Sequence, residues 1–223
     1  MLREAALDAL AVLLPVECAG CGVWDRGICS SCRVALTPVV QVRDVGARGH
    51  AAALPVWAGL EYDGIARSVM LALKAQQRMD AAQVLAPALA EAVRAATAVI
   101  GASGVEVVAV PGTRSAYRRR GYDPVQLLIS RAGLGASRAF APARPHKAQK
   151  QLGVDERDRN LRGSFRLQRL VAGRRILLID DVVTTGATLR EAARMLRGGG
   201  AEVVGAAVVA STPRRDGTAV ALL

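Results

Sequence analysis

Two adjacent carboxylates, Asp180 and Asp181, follow the apolar run Ile176-Leu177-Leu178-Ile179, and Val182-Val183 then leads into the turn Thr184-Thr185-Gly186-Ala187-Thr188. Neighbouring carboxylates repel and are costly to bury without partners. They become reasonable where they face a cavity, accepting hydrogen bonds from sugar hydroxyls or lying near a bound Mg²⁺. The turn opens a helix near Thr185 or Thr188. Its backbone N–H groups, threonine hydroxyls and helix dipole all favour an anion there, and Gly186 lets the backbone come close to it. A diol site beside a phosphate site describes a ribose 5-phosphate clamp. An ordinary capped helix after a core strand accounts for the threonines and the glycine, but not for the acid pair.

The charge distribution points the same way. The chain has 223 residues, 30 Lys/Arg, 19 Asp/Glu and a net charge of +11. Residues 112–175 hold 16 of the basic and 4 of the acidic residues, so all the excess positive charge lies in this middle segment. Such a segment suits phosphates, although a solvated basic loop has the same composition. Its candidates for phosphate or DNA are Arg118, Arg119, Arg120, Lys147, Lys150, Arg157 and Arg159. Lys74, with Arg78 near the end of a helix further upstream, is another. His146, Gln149, Gln151 and Asn160 share the 144–160 stretch, His146 without an identifiable partner.

The four cysteines, Cys18, Cys21, Cys29 and Cys32, form a C-x2-C-x7-C-x2-C pattern. Two such knuckles bring four thiolates to one tetrahedral Zn²⁺, the soft-ligand arrangement of a structural site. Disulfides suit a reducing compartment poorly, and a redox pair needs only one C-x2-C. The zinc would stabilise a segment too short to form its own core.

These residues need elements to hold them. Apolar periodicity predicts strands at 54–64, 105–110, 174–180 and 202–210, with a short one at "GSFRL". It predicts helices at 64–76, at 80–100 with Asp80 as N-cap and Pro87 as a bend, at 122–133 capped by Asp123, and at 188–198. Near-continuous apolar strands alternating with helices give an α/β fold, a mostly parallel sheet flanked by helices. Ligands of such sheets sit at the carboxyl ends of strands, which brings together the loops after Val110 and Ile179. Residues 37–55 lack periodicity and read as a linker, and 133–162 as a mobile loop. The expected organisation is an N-terminal helix (3–14) with the zinc module in residues 1–40, then the main domain in 54–223. No stretch approaches 18 uncharged apolar residues, so no membrane span is expected. Glu4, Asp8 and Glu17 argue against an export signal in "MLREAALDALAVLLPVEC", which leaves a cytoplasmic protein as the expectation.

"ILLIDDVVTTGAT" resembles the phosphoribosyl-pyrophosphate (PRPP) motif of type I phosphoribosyltransferases. The four-cysteine front end, "YDGIARSVMLALK", "VPGTRSAYRRRGYDPVQLL" and "QKQLGVDERDRNLRGSF" narrow the resemblance to the competence-associated ComF family. The resemblance implies that Asp180 and Asp181 hold the ribose 2′- and 3′-hydroxyls and that Thr184 to Thr188 cradle the 5-phosphate. Pro111-Gly112-Thr113-Arg114 matches the pyrophosphate loop, which makes Arg114 a catalytic candidate beside the two acids. Residues 144–160 would be a closing hood. Tyr122-Asp123 stands where many ComF proteins carry Phe-Asn, and Gly112 where a bulkier residue is common.

Two functions follow as expectations. One is transfer of the phosphoribosyl group to a nitrogen nucleophile with release of pyrophosphate, with Mg²⁺ as cofactor. The other is a competence-type factor for uptake or handling of single-stranded DNA. It would work with a DNA-uptake protein partner and use the ribose-phosphate site to sense PRPP or a nucleotide. Rings for base stacking are few in the basic region, namely Tyr117, Tyr122, Phe140 and Phe165, but phosphate contacts through arginine need none.

Overall fold

A computed structural model describes residues 16–25, 27–46, 53–112, 114–142 and 165–213. The expected helix 3–14 lies outside them, as do Thr113, His146, Lys147, Gln149, Lys150, Gln151, Arg157, Arg159 and Asn160.

The first elements surround the cysteines. Strands β1 (Val16–Glu17) and β2 (Trp24–Asp25) pair antiparallel around the first knuckle, and the short helix α1 (Ser30–Ala35) carries the end of the second. The main sheet has five strands: β3 (Gln41–Asp44), β4 (Pro55–Glu61), β5 (Val105–Ala109), β8 (Arg175–Val183) and β9 (Glu202–Ser211). Their order is β3-β4-β9-β8-β5, parallel throughout except for the antiparallel edge strand β3. β3 lies in the segment expected to be a linker. Its Val40-Gln41-Val42 alternation is too short to register as a period, and pairing with β4 makes it a strand. A small antiparallel pair, β6 (Phe140–Pro142) with β7 (Phe165–Leu167), adds structure within and just after the expected mobile loop.

Six helices are described: α1, α2 (Gly64–Ala75), α3 (Ala81–Ile100), α4 (Arg114–Arg120), α5 (Pro124–Arg131) and α6 (Ala187–Gly198). The sheet is covered on both faces, as its unbroken apolar strands require. Period-two alternation sends Leu177 and Ile179 to one core with α2, α3 and α5. Ile176 and Leu178 go to the other core with α6, Phe140 and Phe165. α3 comes so close to β4 that a Cβ on Gly59 would stand 2.1 Å from the Ala88 carbonyl oxygen, so only glycine fits there. Pro87 lies inside α3 without ending it, on the helix's exposed face.

α3 is the one described helix long and apolar enough to cross a membrane by length and composition, which the sequence reading did not foresee. Nine of its residues, Leu85 and Leu89 among them, are buried, and it packs on β4 and β9. It is a core helix of the sheet, and no span is assigned to it.

Candidate functional site

β8 sets the site because it outruns its neighbour. β5 pairs with β8 only as far as Ala109 opposite Ile179, and the Val110 N–H closes that edge on the Ile179 carbonyl at 2.8 Å. β8 continues to Val183 against β9 alone, so Asp180, Asp181 and Val182 lie on a strand open on one side. The expected strand end at Asp180 is therefore corrected: the acids sit within the strand, beyond the point where β5 turns away. The chain that turns away is Pro111-Gly112, which places the two predicted loops side by side. Around Gly112 there is room, with no atom within 4 Å of an added Cβ.

The acids use the open edge. The Asp181 N–H donates to the Asp180 carboxylate at 2.8 Å, and the Val182 N–H to the Asp181 carboxylate at 2.7 Å. One cation among the described residues answers the pair: Lys74 Nζ, from the last turn of α2, lies 2.8 Å from Asp181 Oδ1, with the carboxylate only 13% exposed. Lys74 is thus at the site, committed to an acid rather than held out to phosphate. Asp180 has no such ion pair among the described residues. Burial, then the charge of Asp181, push its carboxyl up to about 8, with Lys74 opposing and Asp123 adding to the rise. A half-buried carboxyl so placed calls for a hydroxyl donor or a second cation.

α4, α5 and the end of α2 form the adjoining wall. Asp123 caps α5 as expected, accepting from Val125 N at 2.9 Å and Gln126 N at 3.4 Å. The Tyr122 hydroxyl donates to the Leu73 carbonyl, one residue before Lys74. Gln77 Nε2 donates to the Arg120 carbonyl at 3.4 Å, tying α4 to the same corner. Arg114 opens α4, while Arg118 and Arg119 are exposed along it beside Tyr117. Arg120 is half-buried near Tyr122, and its Nε has no hydrogen-bond partner among the described residues.

The turn after β8 holds a positive-φ glycine, as its sequence required. Gly186 has φ 75°, and a Cβ there would fall 1.9 Å from Val45 Cγ1. Its glycine is thus explained by the fold as well as by any ligand. Thr184 and Thr185 are exposed, Ala187 and Thr188 half-buried in the first turn of α6, and Ala187 N reaches Thr185 Oγ1 at 3.4 Å. Two arginines that sequence reasoning missed brace this turn. Arg43 Nη2 donates to the Thr184 carbonyl at 3.2 Å, and Arg190 Nη1 to the Thr185 carbonyl at 2.7 Å. Arg190 is four residues past Gly186 and could have been found by helix spacing, whereas nothing near Arg43 in sequence marks it.

The cysteines converge. All four Sγ atoms lie within 4.8 Å of one another, and Cys21 and Cys29 are 3.7 Å apart. Tetrahedral zinc with Zn–S bonds of about 2.3 Å has sulfur–sulfur edges of about 3.8 Å, so the group is compatible with a structural zinc. Burial alone would raise the Cys18 thiol, but backbone N–H donors from Cys29, Cys21 and Gly20 bring it down to about 6. Burial and the other three sulfurs push Cys32 the opposite way. Four packed sulfurs cannot all be thiolates without a cation among them. The module is not loose: Cys18, Cys29 and Cys32 share a core with Trp57 and Met70. Arg78 does not face the acid site. It clasps the module, donating to the Glu17 and Gly27 carbonyls, both at 2.9 Å. Asp80 does not cap α3 with its side chain but pairs with Arg78 at 2.8 Å.

A mostly parallel sheet thus carries paired acids near the carboxyl end of one strand, followed by a glycine turn into a helix. In comparison with known proteins, residues 119–219 match the phosphoribosyl transferase domain. The DNA utilization protein YhgH of Escherichia coli K12 is 36% identical over 103 residues, 44% of this chain and 45% of that protein. The Salmonella typhi protein of the same name matches at the same identity and extent. The matched part thus spans less than half the length of these relatives. Adenine phosphoribosyltransferase of Treponema pallidum is 57% identical over 44 residues, 20% of this chain and 23% of that one. Among solved structures, a phosphoribosyltransferase from Corynebacterium diphtheriae is 22% identical, covering 84% of this chain and 86% of its own, at a TM-score of 0.37. The chain thus resembles the DNA utilization proteins over less than half its length, carries a match to the phosphoribosyl transferase domain over residues 119–219, and has a four-cysteine group in front of it.

Proposed function

We propose that the chain binds PRPP with Mg²⁺ and transfers its phosphoribosyl group to a nitrogen nucleophile, releasing pyrophosphate. The observation that supports this most is the half-buried acid pair whose one described counter-charge, Lys74, is spent on Asp181, leaving Asp180 to meet a ligand. In this reading Asp180 and Asp181 accept hydrogen bonds from the ribose 2′- and 3′-hydroxyls. The turn Thr184-Thr185-Gly186-Ala187-Thr188 holds the 5-phosphate on N–H groups and hydroxyls at the start of α6. Pro111, Gly112, Thr113 and Arg114 bound the pyrophosphate, whose charge the arginines of α4 help to neutralise. Val182 and Val183 carry the strand between the two halves. Mg²⁺, when bound with PRPP, supplies charge neutralisation of the leaving pyrophosphate. The four cysteines hold a structural zinc that keeps residues 1–40 folded against the domain of residues 54–223. Pyrophosphate release measured across a panel of nucleobases and amines tests the transfer. Release above background with at least one acceptor supports it, and none with any acceptor under Mg²⁺–PRPP overturns it.

A second reading has its own observation. α4 exposes Arg118, Arg119 and Tyr117 together, and two of the relatives above are DNA utilization proteins. Here the ribose-phosphate site senses PRPP or a nucleotide, and α4 contacts single-stranded DNA beside an uptake protein. Salt-dependent gel shifts with single-stranded DNA separate the two.

A further inference from the structure

The turn that follows β8 is held from behind by the edge strand. Arg43 lies on β3, 141 residues from Thr184 in sequence, yet its guanidinium Nη2 donates to the Thr184 carbonyl at 3.2 Å. Its Nη1 donates to the Thr212 carbonyl at 3.1 Å and Thr212 Oγ1 at 3.5 Å. Thr212 Oγ1 in turn donates to the same Thr184 carbonyl at 3.4 Å. Just past the end of the strand, Val45 fills the space beside Gly186. One edge of the sheet therefore holds the turn at both Thr184 and Gly186.

A peptide group is planar and trans, so its N–H points opposite to its C=O. Fixing the Thr184 carbonyl on Arg43 fixes the Thr185 N–H in the reverse direction, away from β3. The Thr185 carbonyl, bound by Arg190, does the same for the Gly186 N–H. Successive backbone N–H groups in a turn are the elements from which anion-binding concavities are built, and the planar, always-charged fork of arginine is suited to hold a carbonyl in one orientation.

We propose that Arg43 is a positioning residue for the phosphate turn, orienting the Thr185 N–H toward the 5-phosphate of a ribose 5-phosphate ligand. The proposal rests on the ribose-phosphate reading of the acid motif. Its test is calorimetric titration of the full chain with ribose 5-phosphate and, separately, with inorganic pyrophosphate. Wild type is compared with Arg43→Ala, Arg43→Lys and Thr212→Val. Arg43→Ala should weaken ribose 5-phosphate roughly tenfold, the factor that about 1.4 kcal/mol represents, and leave pyrophosphate unchanged. Arg43→Lys keeps the charge but loses the fork, and should fall between; Thr212→Val should show a smaller loss of the same selectivity. If Arg43→Ala does not fold, Arg43→Lys carries the comparison. Unchanged ribose 5-phosphate affinity in the folded variants, or an equal loss for both probes, overturns the role of Arg43 alone. A wild type that binds no ribose 5-phosphate overturns the reading of the site, and this role with it.

Discussion

Replacing Asp180 with asparagine should make the ligand-free protein more stable at alkaline pH while weakening binding at the proposed ribose-phosphate site. The asparagine side chain keeps the shape and can still accept from the Asp181 N–H. It removes the carboxyl whose burial, together with the charge of Asp181, raises its titration to about 8. The unfolded carboxyl titrates near the ordinary aspartate value, about 3.9. Between these two values the native state binds more protons than the unfolded state. The contribution of Asp180 to stability is therefore whole below this window, falls as pH rises through it and is lost above about 8. Each pH unit of the window is worth at most about 1.36 kcal/mol. Partial exposure to solvent, which screens these interactions, reduces the whole to about 2–3 kcal/mol. Urea unfolding of wild type and Asp180→Asn at pH 5, 7 and 9 reads this difference. The stability gap should open by about 2–3 kcal/mol from pH 5 to 9 in favour of asparagine. Parallel stability curves would refute the argument that Asp180 is a half-buried acid without a counter-charge of its own among the described residues.

Three other outcomes follow from particular contacts. Gly186→Ala combines a positive φ with a clash on Val45, and should cost about 2–4 kcal/mol in thermal or urea unfolding. A change below about 0.5 kcal/mol would show that Val45 does not pack on the turn as described. If the four cysteines hold the proposed zinc, a chelator or Cys32→Ser should lower the melting temperature and expose the core shared with Trp57 and Met70, read by tryptophan fluorescence; zinc analysis of the purified protein giving less than one ion per chain would contradict the site. If α4 meets single-stranded DNA, Arg118→Ala with Arg119→Ala should weaken the gel shift and flatten its salt dependence by about two charges.

Much of this is legible in the sequence because it is local. The body of the strand at Ile176–Ile179, the cap at Asp123 and the cysteine knuckles each announce themselves within a few residues, by apolar run, by Asp-Pro and by spacing, although the strand runs on past its expected end at Asp180 to Val183. The fold class follows from the alternation of such elements. What is not legible depends on partners distant in the chain. β3 is a strand because β4 pairs with it, and Arg43 matters because the fold brings Thr184 and Thr212 to it. Lys74 reads as a phosphate ligand because its helix ends near the site, but its contact with Asp181 is set by how α2 packs on the sheet. Asp80 has the position of a cap and finds a stronger partner in Arg78. Of the loop expected to meet pyrophosphate, residues 111–112 follow the strand edge beside the acids, while the hood expected at 144–160 lies outside the described residues.

The central claim is that the acid pair and the turn after it hold a ribose 5-phosphate. Its most direct measurement is a titration of the full chain with PRPP and Mg²⁺, followed by thermal shift and calorimetry, against Asp180→Ala/Asp181→Ala. The account predicts saturable binding and a raised melting temperature for wild type, both lost in the double variant. No stabilisation of the wild type, or equal stabilisation of the variant, would contradict it.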